Sequence, residues 1–384
     1  MRILFSSTRG TGHVQPLLPY AKELVERGHE VLVAAPADVR ESLREARLEH
    51  AVFGHPGDET LKPIWARFRG RSHDEVMAIA MREIFVGANA KAALPGLRDT
   101  VASFRPHLLV RESSEFAALA AAEAAGVRHV RVAVHSVSFE EQLPPLAVDG
   151  IDALREASGL PADGGASLRA EAVFSSFPAS LDVVSATSPL QAPFRARARD
   201  KSSNGSPAAW EKPGDSRPLV YVTFGTIAGG IPEIRGFYRT SLDAIAELPV
   251  RALLTTGRGF ETSALGTIPA NVHVEEWVPQ AEVLPRAAAL VCHGGSGTLL
   301  GGLAAGLPLV VVGFGADQPH NGKLVARAGA GLNLENPDAA NLRGAIERAL
   351  QDDALRASAQ RLAAEMAAMP TIADGVDRML AGPK

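Results

Sequence analysis

The chain has 384 residues, a formal net charge of -4 and a single cysteine, Cys292. At roughly 100–200 residues per domain, this length predicts two domains. The mild acidity disfavours a nucleic-acid-binding protein, and the lone cysteine excludes an intramolecular disulfide or a thiolate-rich metal site. Because the sequence shows neither a secretory signal nor a long apolar run, we expect a cytoplasmic protein without stable membrane insertion.

Short apolar runs alternate with helical patterns through the first half of the chain. After the first run, residues 16–27 carry apolar side chains at helical spacing, and Gly28 follows, as is typical of a helix end. Runs that are apolar on both faces and joined by helices predict an α/β fold with a covered parallel sheet. The predicted strands of this half are 3–5, 31–35, 108–110, 130–134 and 183–184.

This pattern stops near Pro193, where a charged stretch rich in Ser, Pro and Gly begins. Its composition predicts a linker at 196–216, in which Trp210 is the one large apolar residue and could dock on a domain surface. The strand–helix pattern then restarts, so we predict two similar α/β domains, 1–195 and 217–368, facing a cleft, with a terminal segment at 369–384. The predicted strands of the second domain are 219–224, 252–254, 272–274, 290–292 and 309–312.

Two stretches, 54–100 and 136–170, are less regular, and the first contains a predicted helix at 74–93. Excursions of this length between strands usually cap a ligand cleft, although they can also be simple covering layers. The apolar residues at 76–86 favour a hydrophobic acceptor molecule, and we name Met77, Met81 and Phe85 as candidate contacts. An apolar helix is also typical of a core.

A glycine-rich turn, Gly10-Thr11-Gly12-His13, follows the first strand. A dinucleotide fingerprint would need a third glycine at position 15, which is Gln, and an acidic residue after the second strand, which is absent, so NAD binding is disfavoured. The turn could instead present His13 as a general base, with the carboxylate of Glu112 on its other nitrogen. His13 could equally cap the helix, and Glu112 could pair with Arg111 or Arg131.

The second domain carries the densest motif of the chain. A glycine-rich turn after a strand opens a helix, and its N–H groups together with a histidine could cradle a diphosphate. An upstream tryptophan offers a face on which a nucleobase could stack, and a downstream Asp-Gln pair could bind sugar hydroxyls. The residues concerned are Thr226, Trp277, Val278, Gln280, His293, Gly295, Ser296, Gly297, Thr298, Asp317 and Gln318.

This ordered set resembles the donor signature of family 1 glycosyltransferases of the GT-B fold, and is most similar to bacterial enzymes that attach deoxysugars to antibiotics. The resemblance spans the chain, from the TRGTGH turn through RESSEFAA and VTFGT to the W-x-P-Q, HGGSGT and DQ segments. It implies two Rossmann-like domains, with the terminal segment crossing back to the first. It also implies that His13 is the base, that Trp277 and Gln280 lie at the nucleobase, and that Gly12 lies on the donor side.

Two departures from the family pattern carry information. Many relatives have Asp where this chain has Glu112, which keeps the carboxylate on a longer side chain. Relatives that use uridine donors place Glu eight positions after the motif histidine, where this chain has Gly301. A thymidine nucleotide lacks one ribose hydroxyl, so the missing carboxylate favours a dTDP-sugar donor.

The resemblance implies inverting displacement at the anomeric carbon of the donor. Because no Asp-x-Asp follows a strand, we expect no metal ion and no cofactor beyond the donor. The alternatives are a UDP-sugar transferase, a nucleotide-sugar epimerase, a cell-wall lipid glycosyltransferase and a non-catalytic nucleotide-sugar-binding protein. The sequence leaves open whether the chain forms a homodimer.

Overall fold

The computed structural model describes residues 1–188, 190–191, 193–197, 210, 214–226, 232–257 and 259–382, with only the backbone at 232 and 233. The chain divides into two compact units, Met1–Arg199 with Pro370–Lys384, and Asp200–Met369. Most of the predicted linker 196–216 lies outside the described residues. Within it, Trp210 is buried.

The first unit is built on a parallel sheet of seven strands in the order β3-β2-β1-β4-β5-β6-β7. Its central strands are almost wholly buried because helices cover both faces. The chain builds outward from β1 in one direction and from β4 in the other, so the order reverses between these two strands. Ligands of such sheets bind at this reversal, beyond the carboxyl ends of the strands. The strands are β1 (Arg2–Ser6), β2 (Glu30–Ala35), β3 (Glu49–Val52), β4 (Leu108–Glu112), β5 (Arg128–Val132), β6 (Ala172–Ser175) and β7 (Phe194–Arg195).

The helices of this unit include three in the stretch 136–170, which the sequence left irregular. Short 3-10 turns at Gln15–Leu17 and Ala37–Val39 lead into α2 and α3. The helices are α1 (Thr11–Val14), α2 (Leu18–Glu26), α3 (Arg40–Glu45), α4 (Asp58–Ala66), α5 (His73–Ile79), α6 (Ala90–Phe104), α7 (Ala117–Ala124), α8 (Val137–Glu140), α9 (Pro144–Ala157) and α10 (Ala166–Ala170).

The helix predicted at 74–93 is present but longer and interrupted. Ser72 begins it with a capping box to Glu75, and a π-helical segment, Ala80–Asn89, joins α5 to α6. The wider π turn changes which side chains face inward. Apolar residues of this segment therefore fall on more than one face when it is drawn as a regular α-helix. Such segments are frequent at functional sites.

The strand predicted at 183–184 is wrong. Val183 is 58% exposed and lies in an irregular segment. The sheet strand is instead β6, eight residues or more upstream, whose four residues give a weak β signal. The edge strand β3 was also missed, since its sequence EHAV is half-exposed and only half apolar.

The second unit has a six-stranded parallel sheet in the order β10-β9-β8-β11-β12-β13, with its reversal between β8 and β11. All five predicted strands are present, and β13 was missed because its sequence, GLNL, is only half apolar. The strands are β8 (Leu219–Thr223), β9 (Arg251–Thr255), β10 (Val272–Glu275), β11 (Ala289–Cys292), β12 (Leu309–Val312) and β13 (Gly331–Leu334). The helices are α11 (Pro232–Ala246), α12 (Gln280–Val283), α13 (Ser296–Ala304), α14 (Gln318–Arg327), α15 (Ala339–Gln351) and α16 (Asp353–Ala368), with 3-10 turns at Thr262–Leu265 and Leu284–Arg286.

The terminal helix α17 (Ile372–Ala381) packs on α2 of the first unit. Gly375 permits this contact, because a Cβ atom there would lie 2.9 Å from Cε1 of Tyr20. Nη1 of Arg27 lies 2.5 Å from Oδ1 of Asp377 on the same interface. Residues 370–382 are therefore structurally part of the first unit.

Candidate functional site

His13 lies in α1, the single helical turn that follows β1, beside the point where the strand order of the first sheet reverses. Gly10 begins the turn with a φ of 100°, a conformation that favours glycine. The His13 side chain is 21% exposed, and its Nδ1 atom lies 3.1 Å from Oε2 of Glu112 at the end of β4. Two neighbouring strand ends thus bring together residues that are far apart in the sequence.

Glu112 is fully buried and saturated with hydrogen bonds. Its Oε1 atom accepts from the N–H and the hydroxyl of Thr8, at 3.1 and 3.0 Å, and its Oε2 atom accepts from the Ser114 N–H at 2.7 Å. Burial alone would raise the pKa of Glu112, but His13 and these donors lower it to about 2. The ionised carboxylate accepts the Nδ1 proton of His13, which leaves Nε2 as the basic nitrogen of the ring.

The two arginines that could have competed for Glu112 have other partners. Arg111 pairs with Glu171, at 2.5 Å between Nη2 and Oε2, and both are fully buried. Arg131 lies 3.3 Å from Oε2 of Glu140. The alternative pairings of Glu112 considered from the sequence are therefore absent.

Aromatic rings flank His13 on two sides. The ring of Phe85, in the π-helical segment, lies 5.8 Å from that of His13, and the ring of His135 lies 6.3 Å away. Of the other candidate acceptor contacts, Met81 is buried in the core of the unit and Met77 packs against that core from a half-buried position. Phe85 is the candidate that lies beside the histidine.

In the second unit, His293 follows β11, and its ring packs between Gly225 and Gly295. A Cβ atom would be 3.0 Å from its Nε2 atom at Gly225 and 2.4 Å at Gly295, so larger residues would displace the ring. Burial lowers the pKa of His293 to about 4. The imidazole is therefore neutral at neutral pH and can donate only one hydrogen bond to a ligand.

Helix α13 begins three residues after this histidine, and no side chain caps its N-terminus. The first N–H groups of a helix, here those of Ser296, Gly297 and Thr298, have no intrahelical acceptor. With the helix dipole they form an anion-binding terminus. The Thr298 hydroxyl accepts from Nε2 of Gln280 at 3.0 Å, so this part of the predicted set is assembled in one place.

Asp317 and Gln318 lie at the start of α14, after Ala316, whose φ of 52° is unusual for a residue other than glycine. Oδ2 of Asp317 accepts from the Ser296 hydroxyl at 2.8 Å and from Nδ2 of Asn321 at 2.7 Å. Oε1 of Gln318 accepts from the Phe314 N–H at 3.0 Å and so fastens the loop. The amide NH₂ group of Gln318 can donate a hydrogen bond to a sugar hydroxyl.

The remaining predicted donor contacts differ in exposure. Trp277 is 50% exposed, as a stacking platform requires, whereas Val278 is nearly buried. Thr226 and Gly12 are exposed. Cys292 is buried in β11, and burial raises the pKa of its thiol to about 12, which fits a packing residue rather than a nucleophile.

Several residues of these sites were not predicted from the sequence. Thr8 and Ser114 hold Glu112, Asn321 holds Asp317, and His135 lies beside His13. One signal was available for His135, since it is a polar residue just beyond a buried parallel strand. Among the described residues, no group of three or more His, Cys, Asp or Glu side chains could hold a metal ion. No described helix is both long and apolar enough to cross a membrane.

Comparison with known proteins identifies the family. A family model described as the C-terminal domain of erythromycin biosynthesis protein CIII-like proteins matches residues 239–381. The L-demethylnoviosyl transferase of Streptomyces niveus is 31% identical over 390 residues, which cover 98% of this chain and 97% of that protein. The chain belongs to the GT-B natural-product glycosyltransferases.

Two further similar proteins support the assignment of this chain to the glycosyltransferase family. Demethyllactenocin mycarosyltransferase of Streptomyces fradiae is 28% identical over 99% of this chain and 87% of its own. The crystal structure of the glycosyltransferase SnogD from Streptomyces nogalater superposes with a TM-score of 0.81, at 28% identity and over 99% of both chains. The protein is therefore a GT-B enzyme that transfers a sugar from a nucleotide-sugar donor to a small-molecule acceptor.

Proposed function

We propose that this glycosyltransferase transfers a deoxysugar from dTDP to a hydroxyl group of a hydrophobic natural-product aglycone, with inversion at the anomeric carbon. His13 removes the proton from the acceptor hydroxyl, and the acceptor oxygen forms a bond to the anomeric carbon. The bond from that carbon to the diphosphate oxygen breaks, and dTDP leaves with the electron pair. The curated relatives named for L-demethylnoviosyl and mycarosyl transfer support a sugar of this type.

The hydrogen bond between His13 and Glu112 carries the assignment of the base. The ionised carboxylate fixes the tautomer in which Nε2 is basic, and it stabilises the imidazolium that forms when the ring takes the proton. Because the donors from Thr8 and Ser114 hold Glu112 in place, the ring needs no reorganisation during the reaction. General-base catalysis of this kind contributes roughly 10²–10⁴-fold to rate.

The uncapped N-terminus of α13 supports departure of dTDP without a metal ion. Its N–H groups and the dipole of the nine-residue helix provide positive potential where the diphosphate would gain charge. His293 would add a neutral donor beside them. We therefore propose that the reaction needs no cofactor, and that a chelator leaves the rate of transfer unchanged.

The surroundings of Gly301 support dTDP over UDP. A Cβ atom at this position would lie 3.0 Å from Cδ1 of Leu284 and 3.9 Å from Oε1 of Gln280. A glutamate at this position, as in uridine-dependent relatives, would therefore need the Leu284 side chain to shift. A donor lacking the ribose 2′-hydroxyl does not need that carboxylate.

Titration calorimetry with dTDP and UDP tests the nucleotide, and NMR of the product tests the stereochemistry. The proposal expects tighter binding of dTDP and an inverted anomeric configuration. Clearly tighter UDP binding would exclude the dTDP assignment, and retention of configuration would exclude direct displacement. Transfer measured with and without EDTA tests independence from metal ions.

A further inference from the structure

A second buried carboxylate, that of Glu115, lies three residues after Glu112 in the loop between β4 and α7. Every residue of this loop, from Ser113 to Phe116, is at most 1% exposed. A carboxylate is costly to bury unless hydrogen-bond donors satisfy it. The donors that surround Glu115 therefore show which parts of the fold it holds together.

Three donors from two parts of the chain satisfy the Glu115 carboxylate. Oε2 accepts from the Ser6 hydroxyl at 2.7 Å and from the Ala118 N–H at 3.0 Å, and Oε1 accepts from the Ala117 N–H at 3.1 Å. The two N–H groups belong to the first turn of α7, where they have no intrahelical acceptor. Glu115 thus joins the start of α7 to Ser6 at the end of β1.

The bond from Ser6 to Glu115 runs alongside the bonds that hold Glu112. Thr8, two residues after Ser6, donates its N–H and its hydroxyl to Oε1 of Glu112. Within the loop, the Glu115 N–H donates to the Glu112 carbonyl at 3.3 Å. Segments 6–8 and 112–115 are therefore fastened to one another at two points, one at each carboxylate.

We propose that Glu115 is a positioning residue for sugar transfer, whose bond to Ser6 holds the end of β1 where Thr8 fixes the Glu112 carboxylate against His13. This inference rests on the proposed function of His13 as the base. Small displacements of a group that orients the reacting groups lower the rate of the chemical step. Loss of the bond should therefore lower kcat, and leave the KM for the acceptor and the affinity for dTDP unchanged.

Glu115→Gln tests this role at nearly constant side-chain volume. In either orientation of the amide, its NH₂ group faces at least one backbone N–H donor of α7, so a hydrogen bond is lost. Burial raises the pKa of Glu115 to about 7, so transfer is measured at pH 8, where the wild-type carboxyl group is mostly ionised. We expect kcat to fall about 3- to 10-fold, which corresponds to one hydrogen bond.

The same substitution in a Glu112→Gln background separates positioning from general stability. If Glu115 acts through Glu112, the second substitution should change the single-turnover rate by less than about 2-fold, because the carboxylate that it positions is already absent. A residue that only stabilises the fold would lower the rate by the same factor in both backgrounds. Thermal unfolding of the four enzymes shows that each is folded at the assay temperature.

Ser6→Ala is a milder variant that removes one donor and keeps Glu115. It should lower kcat about 3-fold, and only when Glu112 is present. Ser241→Ala is the matched control, since it removes an equally buried serine hydroxyl, which donates to the Phe237 carbonyl at 2.7 Å in the second unit. This control should keep the kcat of the wild type.

Wild-type kcat in folded Glu115→Gln would overturn the proposal, as would an equal loss of rate with and without Glu112. If Glu115→Gln does not fold, Ser6→Ala decides by the same two criteria. The proposed function fails by a different result, retention of turnover in His13→Ala. An inactive His13→Ala together with a fully active Glu115→Gln would remove only the positioning role.

Discussion

The Nδ1 atom of His13 lies 3.1 Å from Oε2 of Glu112, although 99 positions separate the two residues in the chain. The turn after β1 and the end of β4 meet where the strand order of the first sheet reverses. This relationship gives one imidazole an ionised, buried partner and leaves its other nitrogen basic.

Glu112→Gln should lower kcat by about 100-fold, because the neutral amide neither fixes the tautomer of His13 nor stabilises its cation. Steady-state kinetics measure this loss, and calorimetry should show unchanged dTDP affinity. Glu112→Asp is the matched control, since it keeps the charge and should retain more activity than the Gln variant. Equal activity of the Gln variant and the wild type would exclude a role for the carboxylate.

Gly295→Ala should weaken dTDP binding roughly tenfold, because its Cβ atom would lie 2.4 Å from Nε2 of His293 and must displace the ring. Titration calorimetry provides the measurement. Gly344→Ala, on an exposed helix position where a Cβ atom meets nothing within 4 Å, should bind dTDP as the wild type does. The packing argument fails if both variants bind equally well.

Asn321→Ala should raise the KM for the nucleotide sugar by about tenfold, because Asp317 loses a hydrogen bond to Nδ2 that fixes its carboxylate. If Asp317 holds the sugar, inhibition by dTDP alone should change much less. Asn341→Ala, whose amide donates to the capping Asp338, is the control for removal of a helical asparagine. Parallel losses of sugar-nucleotide and dTDP affinity would contradict this role.

Stability should fall between pH 6.5 and about 9 because of His129. Burial alone would lower its pKa, but Glu123 and Glu171 raise it to about 9. Since the folded pKa exceeds the unfolded one, this stabilisation is complete below pH 6.5 and is lost as the pH rises through about 9. The loss is on the order of 3 kcal/mol.

Urea unfolding of the wild type and His129→Gln across this pH range checks the effect. The variant should be less stable at pH 6 and should show a shallower fall in unfolding midpoint up to pH 9. Curves that remain parallel over the whole range would exclude the His129 contribution.

The sequence was sufficient for features that leave a local signal. Central parallel strands are continuous apolar runs, and the glycine-rich turns that precede His13 and follow His293 are short runs of consecutive residues. The structure places both turns at the reversals of strand order in the two sheets, and that placement depends on how the strands pair.

Other features depend on contacts that no local pattern records. The edge strand β3 was missed because it is half-exposed, and the strand predicted at Val183 was wrong because two valines do not make a buried run. Asn321 holds Asp317 and the Gly294 carbonyl by hydrogen bonds across the fold. His135 lies beside His13 because the ends of different strands meet. Such roles arise from tertiary packing.

The most direct test of the central claim is single-turnover sugar transfer by His13→Ala, with dTDP affinity measured on the same preparation. We predict a loss of at least about 100-fold in the rate of transfer with dTDP binding nearly intact, because the variant removes the proposed base and leaves the proposed diphosphate site in the other unit unchanged. Wild-type rates of transfer in this variant would contradict the account.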